Sequence, residues 1–117
     1  SALSPALSSR MATTLSLPNL LAHLDRDEPA RIAELMDWLR IPSVSTDPAF
    51  AGHCRRAAEW AADHLRASGL TAQVLPTGTK DKPGHPIVMA TCGDATSPGP
   101  HVLFYGHYDV QPADPLE

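Results

Sequence analysis

Three features of the 117-residue chain predict an α/β fold. Apolar residues recur at helical spacing in the first third, a helix-length segment with a stripe of small residues follows, and short β-prone runs separated by loops fill the second half. The twelve prolines and seven glycines fall mainly at the junctions, as punctuation does in an ordered chain. The length suits one domain with a core of modest size.

Residues 1–16, SALSPALSSRMATTLS, are rich in Ser, Ala and Thr and carry no acid. They read as a disordered or vector-derived leader, with Met11 as a candidate native start. Residues 17–117 form the structured portion. Leu17, Leu20, Leu21 and Leu24 have helical spacing, and Ile32, Leu35, Met36 and Leu39 repeat it at i, i+3, i+4 and i+7. Asp27, Glu28 and Pro29 have the chemistry of a helix start: a capping carboxylate, negative charge in the first turn and a proline whose missing N–H is harmless there. Two helices, or one kinked at Pro29, are therefore expected. Pro42 disfavours helical geometry at Ile41, so the helix should stop near Arg40.

The next helix is predicted from Pro48 or Ala51 to Ser68, with Cys54, Ala57, Ala58, Ala61 and Leu65 as its inward stripe. Gly69 suits the left-handed position after it, with Leu70 placed to close back on Leu65. Leu70–Leu75 and Ile87–Thr91 read as strands. Pro76–Pro86 reads as a solvated loop, and Gly93–Pro100 as a second loop. Val102, Leu103, Phe104 and Tyr105 are four apolar residues in a row, the pattern of a strand covered on both faces.

Composition excludes several classes of partner. The formal charge of −4 offers no basic footprint, and the few aromatics are not interleaved with Lys or Arg, so no nucleic acid is expected. No apolar run approaches the roughly eighteen residues of a membrane span, so no membrane is expected either. Cys54 and Cys92 lie far apart, in elements of different type. Both read as buried free thiols, which fits a cytoplasmic location.

The chemistry concentrates after Gly106. In extended chain, His107 and Asp109 point to the same side with α-carbons about 6.5 Å apart, so the carboxylate can lean toward the imidazole. That is the geometry of a metal-ligating histidine whose other ring nitrogen is held by an acid. A neutral imidazole binds zinc at about 2.0–2.1 Å, and an acid on the second nitrogen fixes its tautomer. The plainer role for Asp109 is a cap on the turn, and the two roles are compatible. Tyr108 reads as packing. His101 lies about 20 Å from His107 along an extended chain. His53 and His64 lie about 16 Å apart by helical rise. No metal joins either pair. His85 reads as solvated, as do Asp25, Asp27 and Glu28 apart from capping. No phosphate loop, GxSxG elbow or HExxH helix is present.

The string GHYDVQP at 106–112, continued by Ala113, Asp114 and Pro115, resembles the first metal-ligand segment of the M20 family of co-catalytic zinc peptidases and deacylases. Its Gln-Pro ending resembles the dipeptidase branch. Ile41-Pro42-Ser43-Val44-Ser45 and Arg55-Arg56-Ala57-Ala58-Glu59-Trp60 resemble the same family in the same order, so the likeness covers roughly residues 20–117. The resemblance implies the amino-terminal portion of a zinc-peptidase catalytic domain, with helices packed on a mixed β-sheet and further strands beyond it.

It also implies His107 as a metal ligand, Asp109 as the catalytic acid that orients it, and two zinc ions in the complete site. One imidazole does not discriminate zinc from manganese or cobalt. The implied substrate is a small peptide, above all a dipeptide, and the implied parent enzyme is a homodimer. The remaining ligands and the general base lie beyond Glu117 in that pattern, so the 117 residues alone are expected to be inactive. The alternatives are a deacylase of the same family acting on N-acyl amino acids, and a small interaction module without catalysis.

Overall fold

The computed structural model describes residues 16–93, 96 and 98–113. Of the leader expected at 1–16, residues 1–15 lie outside them, as do Asp114 and Pro115, whereas Ser16 is described. The chain divides between Ile32 and Ala33 into two units, and the division falls within one continuous helix, α1, Leu17–Leu39.

In the first unit, Ser16 starts α1. Its carbonyl accepts from Leu20 N at 2.9 Å and its hydroxyl from Asn19 N at 3.3 Å, the bonds of an N-cap. The predicted start at Asp27 is not used. Asp27 lies inside the helix, where its carboxylate meets His23 Nδ1 at 3.1 Å and Arg26 Nε at 3.2 Å. Pro29 is likewise interior. Proline removes one hydrogen bond, whereas ending the helix there would orphan backbone groups on both sides and require a second costly nucleation.

In the second unit, α1 closes through Arg40 N to Met36 O and Ile41 N to Trp38 O, so the predicted stop at Arg40 holds. One turn of 3-10 helix, Pro48–Phe50, is capped by Asp47 Oδ1 on Ala49 N at 2.9 Å. It leads into α2, Ala51–Ala67. Beyond α2, Gly69 adopts φ +92°, with Leu70 N on Leu65 O at 3.1 Å and Gly69 N on Arg66 O at 2.9 Å. This is the Schellman closure predicted for that boundary.

The buried face of α2 consists of Cys54, Ala57, Ala58 and Ala62; Ala61 and Leu65 are only half-buried. These small side chains let the helix approach the two strands it packs on, β1, Thr71–Leu75, and β2, Ile87–Thr91. The strands pair antiparallel, with Gln73 opposite Met89. Arg66 pins β1 to the end of α2, donating Nε and Nη2 to Ala72 O at 3.0 and 2.8 Å.

The segment predicted as a solvated loop between the strands is ordered at its base. Gly78 and Pro83 form a bridge, and Thr77 Oγ1 donates to His85 O at 2.6 Å. Gly78 has φ +77°, and a Cβ there would collide with Lys82 O.

The fold is therefore mixed α/β, with two of the three expected strands. The buried strand at 102–105 is not formed. Those residues are irregular, and Val102, Leu103, Phe104 and Tyr105 are 71–93% exposed. A strand covered on both faces needs neighbours to receive its N–H and C=O groups, and the described residues supply none there. Cys92 also departs from expectation: it is exposed, while Cys54 is buried.

Candidate metal centre

Although the strand before it is missing, the segment His107–Val110 is held firmly. Val110 N donates to Ser43 O at 3.1 Å, and Val44 and Val110 form an isolated parallel bridge. The hydroxyl of Ser43, 1% exposed, donates to Tyr108 O at 3.0 Å. Tyr108 turns its phenol to Pro86 O at 2.8 Å. Three pieces far apart in sequence, 43–45, 85–86 and 107–110, thus interlock in the second unit.

Within this knot the His107 ring stands beside the Asp109 carboxylate. Nδ1 is 2.9 Å from Asp109 Oδ1 and 3.1 Å from Asp109 O. Both oxygens accept, so Nδ1 carries the proton, and a neutral ring then keeps its lone pair on Nε2. The His107 side chain is 74% exposed and that of Asp109 32%. The second carboxylate oxygen, Oδ2, accepts from Ser45 Oγ at 2.6 Å.

The Ser45 hydroxyl lowers the Asp109 carboxyl below its ordinary range. Partial burial opposes this, and the bond from His107 adds to it. Burial, followed by the charge of Asp109, raises the Cys54 thiol, and burial raises the Tyr108 phenol. Beside the ring lies a cavity of about 710 Å³, lined by Trp38, Ser45, His85, Ile87, Tyr105 and His107 among others.

The same-side placement of His107 and Asp109 expected from alternation is observed, with the acid in hydrogen-bond contact with the ring. Ser45 and His85 were not foreseen as parts of this cluster. His85 is half-buried, and its Nε2 lies 2.9 Å from Ser45 O, so the ring N–H donates and the solvated reading is corrected. Its sequence signal was absent, because the partner lies 40 residues earlier.

A protonated Nδ1 backed by a carboxylate, with Nε2 left bare, suits one position in a metal's coordination sphere. Among the described residues no group of three or more His, Cys, Asp or Glu side chains could hold a metal.

Comparison with known proteins bears on the family. The chain is 34% identical over 107 residues to a Beta-Ala-His dipeptidase of Rattus norvegicus, covering 84% of this chain and 21% of that protein. It is 34% identical over 107 residues to a Cys-Gly metallodipeptidase of Candida albicans, covering 85% and 22% respectively. The Beta-Ala-His dipeptidase of Homo sapiens matches at 33%, covering 84% and 21%. The chain is a relative of the M20 metallodipeptidases. It spans about a fifth of the length of these relatives. No family model and no solved structure matches it. Within the GHYDVQP segment of this relative, Tyr108, Asp109 and Val110 are tied to residues 43–45 of the second unit.

Proposed function

We propose that this chain supplies the first metal-ligand segment of an enzyme that hydrolyses dipeptides or short peptides, with His107 Nε2 as a ligand and Asp109 as its orienting acid. The observation that carries this reading is the 2.9 Å contact between His107 Nδ1 and Asp109 Oδ1, which leaves Nε2 unprotonated in a neutral ring. Its presence in a chain whose relatives are named dipeptidases and metallodipeptidases adds support.

A bound metal would supply Lewis acidity and a water ionised near neutral pH. The contribution of this chain is positional. Asp109 keeps Nδ1 protonated, the backbone pairing of Val110 with residues 43–44 fixes the ring's origin, and the exposed ring reaches outward. One imidazole with one backing acid makes a single ligand, so the other ligands and the general base come from residues outside those described. Zinc is the proposed metal and two ions the proposed complement; manganese or cobalt would also accept an imidazole.

A cytoplasmic location is proposed on the two free thiols, Cys54 and Cys92. No helix among the described residues is long and apolar enough to cross a bilayer. The proposed parent is a homodimer acting on small peptides.

The test uses the full-length protein, assayed on free dipeptides and on N-acyl amino acids, with and without chelator and zinc. Metal-dependent hydrolysis that favours the free dipeptides supports the reading, and preference for N-acyl amino acids moves it to the deacylases. Full metal content and turnover in His107→Ala would overturn it.

A further inference from the structure

The acid beside His107 is itself held, and the residue that holds it is assigned no role by the family likeness. We infer that Ser45 is a positioning residue for the candidate metal ligand, acting through Asp109 by fixing which carboxylate oxygen faces the imidazole. This inference rests on the reading of His107 as a ligand.

The geometry separates the two oxygens of Asp109. Oδ1 lies at 2.9 Å from His107 Nδ1, and Oδ2 receives the Ser45 hydroxyl at 2.6 Å. The terminal torsion of an aspartate is broad and roughly two-fold, so a carboxylate bonded through one oxygen is free to rock or exchange its oxygens. A donor on the second oxygen removes that freedom. The short O–H···O⁻ contact is of the strong, charge-assisted type.

Ser45 is in turn fixed. His85 Nε2 donates to its carbonyl at 2.9 Å, and the preceding residue, Val44, bridges to Val110. A line of hydrogen bonds therefore runs from His85 through Ser45 and Asp109 to His107, joining segments 40 and 64 residues apart.

Ser43, two residues earlier in the same segment, provides an internal control. Its hydroxyl donates to a backbone carbonyl, Tyr108 O, and so ties the same two segments together without touching the carboxylate. If Ser45 only stapled the segments, the two serines would be equivalent. If it orients Asp109, only Ser45 affects the ring.

The experiment measures Zn²⁺ affinity of the full-length protein by competition with a chromophoric chelator, histidine ¹⁵N chemical shifts of the metal-free protein, and thermal melting. Ser45→Ala is expected to weaken Zn²⁺ binding about tenfold or more, the scale found when an acid–histidine support is disturbed. It is also expected to move the His107 nitrogens away from a pure Nδ1–H tautomer. Ser45→Thr, which keeps the hydroxyl, should restore both. Ser43→Ala should lower the melting temperature while leaving Zn²⁺ affinity within about twofold.

Wild-type Zn²⁺ affinity and ¹⁵N shifts in Ser45→Ala, or an equal loss of affinity in Ser43→Ala, would overturn the assignment. Should Ser45→Ala not fold, Ser45→Cys, a near-isostere with a weak S–H donor, is expected to show a partial loss of affinity, and full affinity there overturns the assignment too. His107→Ala separates the two levels. Retained zinc in that variant removes the ligand reading, whereas lost zinc alongside an unaffected Ser45→Ala removes only the role of Ser45.

Discussion

Residues 102–105 and 107–110 are separated by one glycine and have opposite fates. The first run is strongly apolar and stands exposed; the second is more polar and is tied down by backbone bridges, two serine hydroxyls and a tyrosine. Hydrophobicity alone does not fold a segment, because each extended residue also needs partners for its N–H and C=O. The polar half has its partners in residues 43–45 and 85–86. The apolar half has none among the described residues, and its side chains stand 71–93% exposed.

The sharpest way to break this contrast is Leu103→Ala. In the 117-residue chain the side chain is 93% exposed, so the change should alter stability by no more than about 0.5 kcal/mol. In a protein as long as the relatives, where the proposed further strands cover this run, the same change should cost about 2–5 kcal/mol. Urea denaturation of both versions measures the difference, and equal small values would show that nothing covers the run.

A smaller effect is expected in the tied half. Ser43→Ala removes a buried donor and leaves Tyr108 O unsatisfied, which should cost about 1–3 kcal/mol and lower the urea midpoint without changing its slope. An unchanged midpoint would mean that the bridge between Val44 and Val110 suffices alone.

The two thiols extend the comparison to covered and uncovered sites. Iodoacetamide at neutral pH should modify exposed Cys92 readily and leave Cys54 largely unmodified until the protein unfolds, as read by peptide mass spectrometry. The smallest effect is on pH. Burial raises the Cys54 thiol in the folded state, so its contribution to stability is fully present below the ordinary thiol range and is lost as pH rises through the raised value. Stability should therefore decline slightly above about pH 9 in wild type and less in Cys54→Ala, each compared with its own value at pH 7.

The features legible in the residues are those with local causes. The helical turn from Pro48, the end of α2 at Gly69 and both paired strands follow from turn chemistry and β-prone runs a few residues long. The contact between His107 and Asp109 was legible for the same reason, since alternation along two residues suffices to create it. Whether residues 17–39 form one helix or two stayed open in the sequence because two signals competed. Asp27, Glu28 and Pro29 carry helix-start chemistry, yet the cap at Ser16 opens a helix that continues through them. The choice of Ala62 over Ala61 for the buried face was likewise decided by how α2 rolls on the two strands.

What the amino-acid order determined unaided was the set of short-range structures and one imidazole–carboxylate pair, because their energetics are settled within a turn of helix or two residues of extended chain. The tertiary structure alone decided that Ser45 and His85 belong to the same cluster as His107 and Asp109. Hydrogen bonds spanning 40 and 64 residues depend on where whole segments come to rest, and no local pattern encodes that.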